Sequence, residues 1–256
     1  MIGAIIGDIV GSVYEWKNIK TTDFPLLSQN SQFTDDTVLT IAVADALLNN
    51  IDYGITIKKW GNKYPQAGYG GNFSKWLQLE SNKPYNSWGN GSAMRVSSIG
   101  FYFDSIDETL DAAKKSAEVT HNHPEGIKGA QATAAAIYLA RKDKTKTEIK
   151  QFIETNFNYD LSRKIENIRP NYRFDVSCQG SVPESIIAFL ESYDYESAIR
   201  IAVSLGGDSD TIACISGGIS QAFYKKIDPE LIKSAKSKLP FEMQEIIEKF
   251  ETEIGW

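Results

Sequence analysis

Residues 1–16 read MIGAIIGDIVGSVYEW, and Ile2, Ile5, Ile6, Ile9 and Val13 fall at the three- and four-residue steps of one helical face. Gly3, Gly7 and Gly11 are four apart, so they stack on one side, where another backbone can come close. Each glycine disfavours helix by roughly 1 kcal/mol relative to alanine, so three in register predict tight packing in return. The helical stretch closes on Gly11 to Trp16 with Glu15 at its C-terminal tip, facing the negative end of the helix dipole, an unfavourable place that a functional role would explain.

Outward from this stretch the same period recurs. Val38, Leu39, Ala42, Val43, Ala46 and Leu47 repeat it, and period-two strand patterns are scarce. Further helices are expected around 93 to 101, 107 to 118, 125 to 141, 195 to 205, 211 to 225 and 240 to 252. Thr145 with Glu148 and Ser181 with Glu184 fit capping boxes, and Asp228 before Pro229 fits a cap followed by a first-turn proline. The expected fold is all-α, a compact orthogonal helical bundle forming one domain over residues 1–256.

Composition excludes several classes. With 42% apolar and 23% charged residues the chain lies in the ordinary globular range. Asp8 interrupts the apolar start and no Lys or Arg precedes it, which speaks against a signal peptide or a spanning helix and for a cytoplasmic location without membrane partners. A net charge of −6 supplies no global field for nucleic acid. Cys178 and Cys214 are the only cysteines, read as core thiols rather than a disulfide scaffold or zinc ribbon.

Two acidic segments share a plan. Thr34-Asp35-Asp36-Thr37 precedes the helix expected at 38 to 48, and Gly206-Gly207-Asp208-Ser209-Asp210-Thr211 precedes the one at 211. Either alone is explained by acids and hydroxyls capping a helix N-terminus. Together they offer two pairs of carboxylates flanked by threonine hydroxyls, hard oxygen donors that select Mg²⁺, Mn²⁺ or Ca²⁺ over zinc. Asp208 and Asp210 would not face one way on a helix, which places both in the turn before it, where Gly206 and Gly207 allow unusual backbone angles. Two such cations could orient a hydroxyl pair and acidify a water.

Ser87-Trp88-Gly89-Asn90-Gly91-Ser92 sets an aromatic between small residues before a helical run, a loop able to present backbone N–H groups to phosphate while Trp88 stacks on a base. His121-Asn122-His123-Pro124 contains both histidines; Pro124 opens a helix, so the two rings do not converge on one ion, and the segment reads either as one His contacting a phosphate or as a solvent-facing loop before a helix.

In this order the motifs resemble the ADP-ribosylglycohydrolase family, which includes serine- and arginine-type ADP-ribosyl hydrolases and the dinitrogenase reductase-activating glycohydrolases. The matching pieces are Gly7 to Glu15, Phe33 to Thr37, Ser87 to Val96, Thr120 to Gly129, Cys178 to Leu190 and Gly206 to Tyr224. The resemblance implies a binuclear metal site in a central cleft, held by Thr34, Asp35, Asp36, Asp208, Asp210 and Thr211, with two divalent cations, Mg²⁺ ahead of Mn²⁺. It implies Glu15 at the scissile bond, Ser87, Gly89, Asn90 and His121 at the diphosphate and distal ribose, and Trp88 against adenine. The implied activity is cleavage of the N- or O-glycosidic bond between ADP-ribose and a protein side chain or small conjugate, with nucleic acid a partner only when itself ADP-ribosylated. An extra acid of arginine-type and nitrogenase-reactivating members has no counterpart in Gly68-Tyr69-Gly70-Gly71-Asn72, whereas Thr120 to Pro124 is nearer the nitrogenase-reactivating enzymes, so the attachment residue stays open. The alternatives are an ADP-ribose-binding protein without turnover, a structural protein on the same scaffold, and a binuclear hydrolase of another nucleotide.

Overall fold

The computed structural model describes residues 1–256 as an all-α chain. Its helices are α1 (Ile2–Gly11), α2 (Asp35–Asn49), α3 (Tyr53–Lys63), α4 (Gly71–Gln78), α5 (Gly91–Met94), α6 (Ser97–Tyr102), α7 (Ile106–Glu118), α8 (Pro124–Arg141), α9 (Lys146–Phe157), α10 (Ile165–Ile168), α11 (Cys178–Glu191), α12 (Tyr195–Ser204), α13 (Ser209–Tyr224), α14 (Pro229–Lys236) and α15 (Phe241–Glu253). The only extended pairing is an isolated antiparallel bridge between Gly89 and Ser177. No helix is long and apolar enough to cross a membrane. One continuous core runs from Met1 to Phe250 and buries α1 on all sides.

The glycine ladder of α1 lies against α13. A Cβ at Gly3 would stand 2.6 Å from the Gly217 carbonyl oxygen, at Gly7 2.1 Å from that of Ala213, and at Gly11 2.4 Å from Asp210 Cα. The Gly3 N–H donates to Gln221 Oε1 (2.7 Å) and the Tyr195 hydroxyl to the Gly3 carbonyl (2.7 Å), so the polar backbone is satisfied at the point of approach. This contact draws the end of α1 beside the start of α13, where the second acidic segment sits. Gly7→Ala is expected to destabilise by about 3 kcal/mol, beyond the ~1 kcal/mol gain in helix propensity, because backbone rather than a flexible side chain blocks the methyl group. Urea unfolding checks this, and a variant more stable than the parent would show that the face is open.

Four sequence expectations shift in detail. α1 stops at Gly11, so Glu15 stands beyond the helix rather than on its tip. The run expected at 93 to 101 is two short helices, interrupted where the fully buried Arg95 sends its guanidinium to the Ser116 carbonyl (2.6 Å) and Thr120 Oγ1 (3.0 Å). Ser181 is not a cap: Ser177 caps α11, the Ser181 hydroxyl donates back to the Ser177 carbonyl, and Glu184 pairs with Arg163 (2.6 Å). α2 begins at Asp35 with Thr34 as its N-cap, three residues earlier than its apolar pattern. The capping box of Thr145 and Glu148 and the Asp228–Pro229 start are present.

Candidate active site

Asp8 is the hinge of the arrangement. Buried in α1, its carboxylate accepts the Thr34 N–H (3.0 Å), the Thr34 hydroxyl (2.7 Å), the Thr37 N–H (3.0 Å) and the Thr37 hydroxyl. An acid from a different helix thereby satisfies the free donors and the positive dipole end of α2. Burial pushes the Asp8 carboxyl above its ordinary range while the Thr34 and Thr37 bonds hold it back. With α13 packed on the glycine face, α1 fixes both acidic segments at once.

Asp36 meets the second segment directly, since the Thr211 hydroxyl donates to its Oδ2 (3.1 Å). Its Oδ1 is buried with no partner. Asp208 occupies the N-cap position of α13 and accepts from Asn90 Nδ2 (2.7 Å). Asp210 does not share the preceding turn with it but lies in the first turn of the helix, because α13 starts at Ser209. Gly206 and Gly207 take positive φ (68° and 71°), which lets the chain enter α13 under Tyr172 and Arg173.

Glu15 is brought in by Asn18, a residue that no motif of the sequence marks. The Asn18 carboxamide donates to the Glu15 (2.8 Å) and Gly207 (3.0 Å) carbonyls and accepts the Gly207 N–H (2.8 Å), tying the loop after α1 to the turn before α13. Carboxylate oxygens of Glu15, Asp208 and Asp210 consequently lie within 4.8 Å of one another. Burial, then the charges of Asp210 and Asp8, raise Glu15 to about 7, while a bond from Trp16 pulls it back. Asp208 is raised to about 6, chiefly by burial. Burial and mutual repulsion hold Asp35, Asp36 and Asp210 well above the carboxylate range. Crowded buried carboxylates of this kind repel unless protons or cations lie between them. All are hard oxygen donors, and the unpartnered Asp36 Oδ1 offers a lone pair with nothing to receive it, so the residues fit a hard divalent cation.

The acids form the floor of a cleft of about 500 Å³, within the size range of small-molecule sites. Ser87, Gly89, Asn90 and His121 line it, as do Tyr69, Tyr85, Trp16 and Phe174, aromatics for which the sequence carried no spacing signal. Trp16 and Phe174 stack at 5.3 Å. Burial and the nearby Arg95 keep the His121 pKa well below its ordinary value, so the ring is neutral. Thr120 Oγ1 accepts from Arg95 and lies 2.7 Å from His121 Nδ1; in the tautomer in which Nδ1 accepts the hydroxyl proton, Nε2, beside Gly89 and Gly91, carries the ring N–H. Two expected residues stand apart from the cleft. Trp88 is 53% exposed with its ring edge-on to His123 (5.7 Å), and the Thr34 hydroxyl proton is committed to Asp8.

The family model described as ADP-ribosylglycohydrolase matches residues 1–253. Among curated relatives, the human ADP-ribosylhydrolase ARH3 is 26% identical over 307 residues, covering 88% of this chain and 84% of that protein. A putative ADP-ribosyl glycohydrolase, L543, of Acanthamoeba polyphaga mimivirus is 25% identical over 289 residues, covering 90% and 87%. A solved structure titled ADP-ribosylglycohydrolase-related protein complex superposes with a TM-score of 0.74 at 20% identity, over 99% of this chain and 97% of that one, a likeness of fold.

Proposed function

This chain belongs to the ADP-ribosylglycohydrolase family, and from that premise we propose that it hydrolyses the glycosidic bond between ADP-ribose and a modified side chain or small conjugate. The observation that carries the reading is the meeting of Glu15, Asp208 and Asp210 within 4.8 Å, in a cleft also lined by Asn90 and His121.

Asp35, Asp36, Asp208, Asp210 and Thr211 would hold two divalent cations, magnesium ahead of manganese, with Thr34 contributing its remaining lone pair. Such cations, when bound, supply charge that orients the hydroxyls of the distal ribose and acidifies a water. Asn90, Ser87 and the Gly89 backbone would position the ribose and diphosphate, with the His121 Nε2–H as a neutral donor to phosphate oxygen. Trp88, exposed outside the cleft between its lining residues Ser87 and Gly89, is assigned to an adenine that projects beyond it.

Glu15 carries the proton transfer. As the bond from the anomeric carbon to the leaving oxygen or nitrogen breaks, the Glu15 carboxyl donates its proton to the leaving atom, and charge spreads over an oxocarbenium-like ribose. Water oxygen bonds to the anomeric carbon and its proton returns to Glu15, which restores the enzyme. Burial, the largest cause of the raised Glu15 pKa, does not depend on the neighbouring charges and favours a carboxyl that holds a proton to give. Glu15→Gln is expected to lower turnover ~10²–10⁴-fold while leaving the affinity for ADP-ribose unchanged, read by single-turnover kinetics beside calorimetry. Equal turnover in the variant removes Glu15 from the chemistry, and AMP in place of free ADP-ribose as product would mean attack on the diphosphate.

A further inference from the structure

We propose that a second cavity, on the other side of Glu15 from Asn90 and His121, receives the acceptor from which ADP-ribose is cut, and that it is built for a peptide joined through an uncharged atom. This inference rests on the reading of the first cleft as the ADP-ribose site. The second cavity measures about 590 Å³. It shares with the first only Glu15, Trp16, Asp35, Gly68 and Asp210. The two cavities therefore adjoin at the acid, and a glycosidic bond held there has its sugar on one side and its leaving group on the other.

The walls peculiar to the second cavity define what it takes. Phe33 and Tyr64 meet edge to face at 5.8 Å and form an apolar side. Tyr64 is already stacked on Trp60 (6.1 Å, 7°), so no pair of open parallel faces is left to sandwich a nucleobase. Gln32 and Gln66 are exposed lining residues, and neither carboxamide makes a hydrogen bond within the protein, so each keeps a donor and an acceptor for a peptide backbone. Lys63 is the one cation of the lining, and it is engaged by Glu242, which also receives the Tyr64 hydroxyl. That leaves no free cation for a nucleic-acid phosphate. The only carboxylates facing the cavity, Glu15, Asp35 and Asp210, belong to the shared wall, where the proposed cations neutralise the two aspartates and the transferable proton neutralises Glu15. A guanidinium entering here finds no carboxylate of its own, and its desolvation goes uncompensated.

The test uses the full chain with magnesium and one peptide sequence carrying ADP-ribose either on a serine hydroxyl or on an arginine guanidinium, plus the ADP-ribosylated free amino acids. The parent is expected to prefer the hydroxyl-linked peptide, and Gln32→Ala to lower kcat/KM for that peptide while sparing the ADP-ribosylated free serine. Gln66→Glu should shift the arginine-to-serine ratio of kcat/KM towards arginine by ~5-fold, the size of one solvent-accessible ion pair. In both variants the affinity for free ADP-ribose, which occupies the first cleft, stays at the parental value. An unchanged ratio in Gln66→Glu, or ADP-ribose affinity falling in step with turnover, overturns the assignment. A nucleic-acid conjugate cleaved faster than both peptides overturns the acceptor class. If the parent cleaves none of these conjugates, the proposed function itself falls, a result separate from an unchanged ratio.

Discussion

Asp210→Asn is expected to abolish turnover while leaving the metal-free protein at least as stable as the parent. The carboxylate lies in the first turn of α13 and groups with those of Glu15 and Asp208. Its charge is among the causes that raise Glu15, Asp35 and Asp36. Asparagine keeps the shape and an oxygen to receive the Thr211 N–H, which now bonds Asp210 Oδ1 at 2.9 Å. The change therefore isolates the charge. Loss of a direct oxygen ligand should exceed the ~10–100-fold cost typical of outer partners of a metal site, and calorimetry should count fewer magnesium ions per chain. Without metal, removal of one repelling charge favours the fold, the usual opposition between stability and activity at a functional site. Turnover within tenfold of the parent would take Asp210 out of the reaction, and a lower melting temperature without metal would show that it is needed for the fold instead.

Why some of this was legible and some was not follows from where the information lies. The fold class is written in local periodicity, which is why α2, α7, α8, α12, α13 and α15 lie close to where their apolar spacing puts them. α3, α4 and α10 are short or mostly polar, and their burial comes from neighbours that no window of sequence contains. The glycine ladder was readable because three glycines at one helical spacing have few other uses. Asp8 was visible as the one charge in an apolar helix, yet its partners Thr34 and Thr37 lie 26 and 29 residues away, and capping from another helix has no local spacing to betray it. The same holds for Asn18, whose partner Gly207 lies 189 residues on. Trp88 was read from a loop motif, but the bridge between Gly89 and Ser177 fixes the loop backbone, and its indole faces His123 and solvent.

Stability measured against pH should separate a cation site from a set of acids that merely share a cleft. Unfolded, these carboxyls titrate near pH 4. In the fold Asp208 is raised to about 6 and Glu15 to about 7, and burial with mutual repulsion raises Asp35, Asp36 and Asp210 well above their ordinary value. A raised carboxyl binds its proton more tightly folded than unfolded, so its favourable contribution is complete below the unfolded value and is lost as pH rises through the folded one. The chelated protein should accordingly melt at a lower temperature at about pH 8 than at about pH 5.5. Glu148 and Asp104, held below the carboxylate range by Lys144 and Lys142, work in the opposite sense but titrate on the acid side of this window. Within it the buried Met1 amino group, lowered to about 5, and the buried His121, lowered well below its ordinary value, also oppose the trend, two groups against the whole cluster of raised carboxyls. Magnesium competes with those protons for the same oxygens, so its stabilisation, small at about pH 5.5, should grow towards pH 8. Asp210→Asn should flatten both trends, since it removes one titrating group and lowers the repulsion on the others. Differential scanning calorimetry at the two pH values, with magnesium and with chelator, supplies the four melting temperatures required. A magnesium shift of equal size at both would mean that the ion binds away from the raised acids, and a chelated protein most stable at the higher pH would contradict the crowding of charge around Asp36.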